Sequence, residues 1–123
     1  MFIKNKQALD TMRVAGKLLA EIFENVSSVI QPGRSTASID AWIEQQLVQR
    51  NLISQSKGYK GYRHVSCISV NNVVVHGVPS ENIILKLGDY VKVDVCAAWN
   101  SYCADMARGF IVGSVSGEKV QHL

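Results

Sequence analysis

The sequence predicts an α+β domain: two helices followed by antiparallel strands. Three observations carry that expectation. Apolar residues recur at helical spacing up to Asn51; short apolar runs broken by glycine, asparagine and proline follow Gly58; and two strand-like arms run from Tyr90 to Phe110. Helices segregated from strands along a chain indicate α+β rather than a parallel, alternating fold. With 123 residues, 47% of them hydrophobic, the chain suits one domain with a real core.

Ala8, Met12, Ala15, Leu18, Leu19, Ile22, Phe23, Val26 and Ile30 follow three- and four-residue steps, predicting one long amphipathic helix closed by Pro32-Gly33. RSTASID then offers Ser35 or Thr36 as an N-cap. The second helix carries Ile39, Trp42, Ile43 and Leu47 on one face and fades near Asn51.

From Gly58 the texture changes. GYKGYRH reads as a loop, VSCISV as a short strand, Asn71-Asn72 as a turn or bulge, and VVVHGVP as a second short strand. LKLGD is a turn that launches the hairpin, in which Trp99 lies near the tip. GSVSGEKVQHL looks like a strand exit, a Ser116 cap and the start of a further helix. The expectation is therefore a piece of something longer.

Composition narrows the function. The net charge of +3 is modest and the basic residues are scattered, which argues against a nucleic-acid partner. No apolar stretch has membrane-spanning length, and MFIKNKQALD lacks a signal-peptide pattern. Three cysteines without CxxC spacing argue for a reducing, cytoplasmic setting.

An aspartate sits in each hairpin arm, Asp94 between Val93 and Val95 and Asp105 between Ala104 and Met106. An ionised carboxylate on a buried strand is costly without a partner. If Asn100-Ser101 is a two-residue loop, Cys96 faces Asp105 and Asp94 faces Ala107. Both carboxylates then project from one face as diagonal neighbours, roughly 7–8 Å apart at the backbone. A three-residue loop would separate them. Compensation could come from a shared proton, from Lys92 or Arg108, or from divalent cations that favour carboxylate oxygen. Each Asp could instead serve only a local turn. Cys96 and Cys103 fall on the same face, either as ligands beside the carboxylates or as small packing residues.

GYKGYRHVSCISVNNVVVHGVP, LKLGDYVKVDV, the second aspartate and FIVG, in that order, resemble the bacterial-type methionine aminopeptidases. MRVAGKLLAEIF and IQPGRSTASID are similar to their first two helices, so the resemblance covers essentially residues 1–123. It implies the N-terminal half of a pita-bread fold, in which two similar halves surround a metal centre that removes initiator methionine. It assigns Asp94 as a metal ligand and Asp105 as the bridge between two divalent ions of the Co, Mn, Fe or Zn class. It places His76 on the scissile amide, and Tyr59, Tyr62 and Cys67 around the methionine side chain. The implied partner is the nascent polypeptide N-terminus at the ribosome, and the implied complete enzyme is monomeric. The family's remaining ligands, one histidine and two glutamates, belong to its second half, so this chain alone is expected to be inactive, marginally stable or self-associating.

Departures from the family pattern lie around the bridging aspartate. Asn100-Ser101 replaces the usual Asp-Gly turn, Ala104 a glycine and Met106 a threonine, while Lys60 stands where histidine is common. Ala104 and Met106 are expected to leave Asp105 with fewer polar supports. The alternative function is a non-catalytic peptide- or protein-binding module of the same fold. YCADMARGF also resembles prolidase-like exopeptidases, but the tyrosine loop favours the methionine branch.

Overall fold

The computed structural model describes residues 6–71 and 77–113. Helix α1 spans Lys6–Asn25 and α2 spans Thr36–Gln49. The strands are β1 (Ile53–Ser54), β2 (Ser66–Val70), β3 (Tyr90–Trp99) and β4 (Tyr102–Ile111). The α+β expectation holds.

The long first helix stops earlier than its apolar spacing predicts. Val26–Ser28 is a 3-10 turn, continued by bonds from Val29 N to Val26 O and from Ile30 N to Ser27 O. The Asn25 amide donates to Glu21 O, and Ser28 Oγ donates to Asn25 O. Such side-chain bonds to nearby carbonyls compete with the helical ladder. Val26 and Ile30 are nevertheless buried, so the periodicity identified the core residues while missing the helix end. At α2, Ser35 is the cap: its Oγ accepts from Ser38 N at 3.1 Å.

β3 is the centre of the sheet. β4 pairs along one edge from Tyr90↔Ile111 to Trp99↔Tyr102. β2 takes the first half of the other edge, Ser66↔Val95 to Val70↔Val91, and β1 pairs Ile53 and Ser54 with Ala98 and Ala97. All three pairings are antiparallel. Two residues are too few for a sequence pattern, so β1 could not be foreseen.

Alternation along β3 sends Val91, Val93, Val95 and Ala97 to one face, where they pack with Leu19, Ile22 and Phe23 of α1 and Ile39, Ile43 and Leu47 of α2. Each fully buried Leu, Ile or Phe contributes roughly 1.5–3 kcal/mol, so this single-sided core holds both helices on the sheet. Trp42 and Trp99 pack against it. The opposite face carries Lys92, Asp94 and Cys96. At its edge Tyr90 lies over Gly109, where an added Cβ would stand 2.1 Å from the tyrosine hydroxyl oxygen.

The α1–α2 connection is tied to the segment before β3. Gly33 N donates to Leu85 O, Leu85 N to Arg34 O, and Thr36 exchanges two hydrogen bonds with Ser80. The LKLGD turn forms as expected, with Asp89 N on Lys86 O and Lys86 N on the Asp89 carboxylate. Of the expected strand in VVVHGVP, residues 73–76 lie outside the described residues and residues 77–79 are in no strand, although the Gly77 carbonyl accepts from Ile68 N at 2.7 Å; the expected helix start after Gly113 also lies outside the described residues.

Candidate functional site

Asn100 and Ser101 both have positive φ, 48° and 72°, as a type I′ two-residue turn requires. The turn fixes parity. Cys96 opposes Asp105, Asp94 opposes Ala107, and Ala98 opposes Cys103. Opposed residues share a face, so Asp94, Asp105, Cys96 and Cys103 all project from the face away from the helices. Cys67 joins them from β2, directly opposite Asp94.

That face is not buried. Asp94 and Asp105 are both exposed, because only the Val91–Val93–Val95 side meets the helices. The apolar flanks that suggested a buried hairpin belong to the other side. The side chains of Ala104 and Met106 likewise pack toward the core, so they bear on packing rather than flank Asp105 on its own face.

The two carboxylates feel each other. Partial burial raises the Asp94 carboxyl above its ordinary value, Asp105 raises it further, and Lys92 opposes the shift. Cys96 is also raised, first by burial and then by Asp105, Cys103 and Asp94. Two oxygen-donor side chains on one face fit part of the ligand set of a hard or borderline divalent cation. Among the described residues no His, Cys, Asp or Glu joins them to complete a cluster of three.

Tyr62 and Cys67 come together beside it. The Tyr62 hydroxyl donates to Ser66 O at 2.7 Å and lies 3.6 Å from Cys67 Sγ. Burial, then the Cys67 contact, pushes the phenol well above its usual range. Tyr59 is apart from this pair. It is 65% exposed on a 3-10 turn at Tyr59–Gly61, with the Lys60 ammonium 5.4 Å from its ring centre. His76 lies outside the described residues.

Sequence reasoning missed both Asp40 and His64. His64 is half-buried, its Nδ1 3.2 Å from Asp40 Oδ2, and its ring meets Tyr62 edge-on at 5.6 Å. Asp40 was legible in one respect: it follows Thr36 by four residues and precedes Ile43 by three, a charge within the buried stripe of α2.

Residues 10–123 match metallopeptidase family M24. The methionine aminopeptidase of Buchnera aphidicola (subsp. Schizaphis graminum) is 38% identical over 114 residues, covering 93% of this chain and 44% of the relative. That of Escherichia coli K12 is 37% identical over 121 residues, 96% and 46% of the two chains. The crystal structure of methionine aminopeptidase from Thermotoga maritima superposes with a TM-score of 0.85 at 33% identity, covering 95% of this chain and 47% of that one. The chain spans about half the length of the relatives it matches.

Proposed function

The chain belongs to metallopeptidase family M24, and on that premise we propose that it is the N-terminal half of a methionine aminopeptidase catalytic domain. The observation that supports this most directly is the pairing of Asp94 and Asp105 on one sheet face, set by a two-residue turn. Family membership implies divalent metal use. The reading extends this to two ions of the Co, Mn, Fe or Zn class, held by Asp94 and Asp105 together with one histidine and two glutamates from the second half. When bound, such ions supply Lewis acidity and an activated water for amide hydrolysis.

The chain's own residues then orient the substrate. Tyr62 and Cys67, with Tyr59 at the rim, present aromatic and sulfur surface to a methionine thioether. His76 hydrogen-bonds the scissile amide. The open face beside Asp94 is where a peptide N-terminus would lie. The substrate class is nascent polypeptides leaving the ribosome in the cytoplasm, with a small residue after the methionine, and the complete enzyme works as a monomer. No helix among the described residues is long and apolar enough to cross a membrane.

The test is divalent-metal content and Met-Gly-peptide hydrolysis by the full product of the reading frame that encodes Leu123. Metal-dependent hydrolysis lost in Asp94→Asn and in Asp105→Asn is the expected outcome. A second reading, a peptide-binding module without metal chemistry, draws on the incomplete donor set among the described residues. A full-length product that takes up no divalent ion yet binds peptide establishes it in place of the first.

A further inference from the structure

Asp40 is 5% exposed, and among the described residues the hydrogen-bond partners of its carboxylate belong to one short segment. Oδ1 accepts from Val65 N at 3.1 Å, Ser66 N at 3.0 Å and Ser66 Oγ at 2.6 Å. Oδ2 faces His64 Nδ1 at 3.2 Å. A buried carboxylate needs such partners to be tolerated at all. Here they come from three consecutive residues, so the carboxylate fixes a stretch of backbone. The stretch is flanked by Tyr62 and Cys67. Ser66 gives its N–H and hydroxyl to Asp40 and receives the Tyr62 hydroxyl on its carbonyl.

Asp, His and Ser side by side suggest a hydrolytic triad, and the geometry rejects it. Ser66 Oγ donates to the carboxylate rather than to the imidazole, and Ser66 is 1% exposed. The nucleophile of a triad must hydrogen-bond its base and reach the substrate. The role left to Asp40 is placement.

We propose that Asp40 is a positioning residue that, through Ser66, sets the Tyr62 hydroxyl and the Cys67 thiol as one rigid wall of a ligand site. Under the proposed function that wall receives the methionine side chain; the ligand rests on that reading, the placement on the contacts above. Two long-range anchors meet there. Helix α2 holds the loop before β2, and the β2–β3 register holds Cys67 against Asp94.

The experiment measures iodoacetamide labelling of each cysteine in the folded chain by peptide mass mapping, together with amide exchange at Val65, Ser66 and Val93. In Asp40→Ala, Cys67 labelling and Val65 and Ser66 exchange are expected to rise by about tenfold or more, the consequence of losing hydrogen bonds to a charged acceptor. Cys96, Cys103 and the Val93 amide serve as global references and are expected to change by less than about twofold. Asp40→Asn, whose carbonyl still accepts from both amides, restores most of the protection. If Asp40→Ala does not fold, Ser66→Ala removes only the hydroxyl donor and gives the same readout. A change confined to Cys67 and its loop supports the proposal. Unchanged Cys67 labelling, or an equal rise at all three cysteines, overturns it. Titration with a Met-Gly dipeptide, read by chemical shifts at Tyr62 and Cys67, separates the two claims. A full product of the reading frame with no response counts against the methionine reading, while the labelling result still decides the placement.

Discussion

Asp94→Asn should stabilise the metal-free chain, although it removes a residue assigned to the metal site. At a separation of roughly 7 Å, two carboxylates repel by about 0.6 kcal/mol in bulk water and about 1.2 kcal/mol at an effective dielectric of about 40. Both groups are exposed, and screening at physiological salt cuts this to about 0.3–0.5 kcal/mol. Loss of attraction to Lys92 subtracts a little more. The net gain corresponds to a melting temperature higher by about 1–2 °C.

The pH dependence has a definite sign. The Asp94 carboxyl is raised in the fold, chiefly by burial and then by Asp105, so the folded chain binds that proton more tightly than the unfolded one. The wild type therefore loses stability as pH rises from the ordinary value of 3.8 through the folded value, and the variant does not. The difference is full at neutral pH, vanishes below 3.8, and shrinks in molar salt. The assay is thermal melting in chelator at pH 3, 5 and 7, at low and high salt. Manganese should reverse the order: at ten times its dissociation constant an ion adds about 1.4 kcal/mol to a chain that binds it, and none to the variant. A variant less stable than wild type in chelator at pH 7 and low salt would refute the reasoning, because Asp94 would then be held by a favourable partner.

Two further substitutions probe the scaffold that presents the site. Ser101→Gly relieves a left-handed residue at the hairpin tip and should stabilise by about 0.5 kcal/mol after glycine's own entropy cost, read as a higher urea midpoint. Thr36→Val removes the fully buried hydroxyl that accepts from Ser80 N at 2.8 Å and donates to Ser80 O at 3.2 Å. It should cost about 2 kcal/mol by chemical denaturation, and Thr36→Ser should recover most of that.

The hairpin was readable because its register depends only on parity and turn length, both local. Asn100-Ser101 supplies the turn, and from it follow the shared face of Asp94 and Asp105 and the place of both hairpin cysteines. Which side would be buried was not local. Val93 and Val95 flank Asp94 in sequence but face away from it, and only the docking of α1 and α2 decides which side meets the core. Asp40 and His64 were missed for a related reason: 24 residues separate them, and no short window contains both. Val26 shows the converse, a correct core residue assigned to the wrong backbone, because burial periodicity tolerates a 3-10 turn at the end of a helix.

The central position of β3 also has a consequence for synthesis. Among the described residues strand β3 joins every other strand and, with β4, receives the apolar stripe of α1. During translation α1 emerges on the order of eighty residues before β4 is complete, a delay of roughly 4–16 s at about 5–20 residues per second. Throughout that interval Leu19, Ile22 and Phe23 have no sheet to cover them. A ribosome paused before Tyr90 would display a bare amphipathic helix, and that nascent segment is where a chaperone would first take hold.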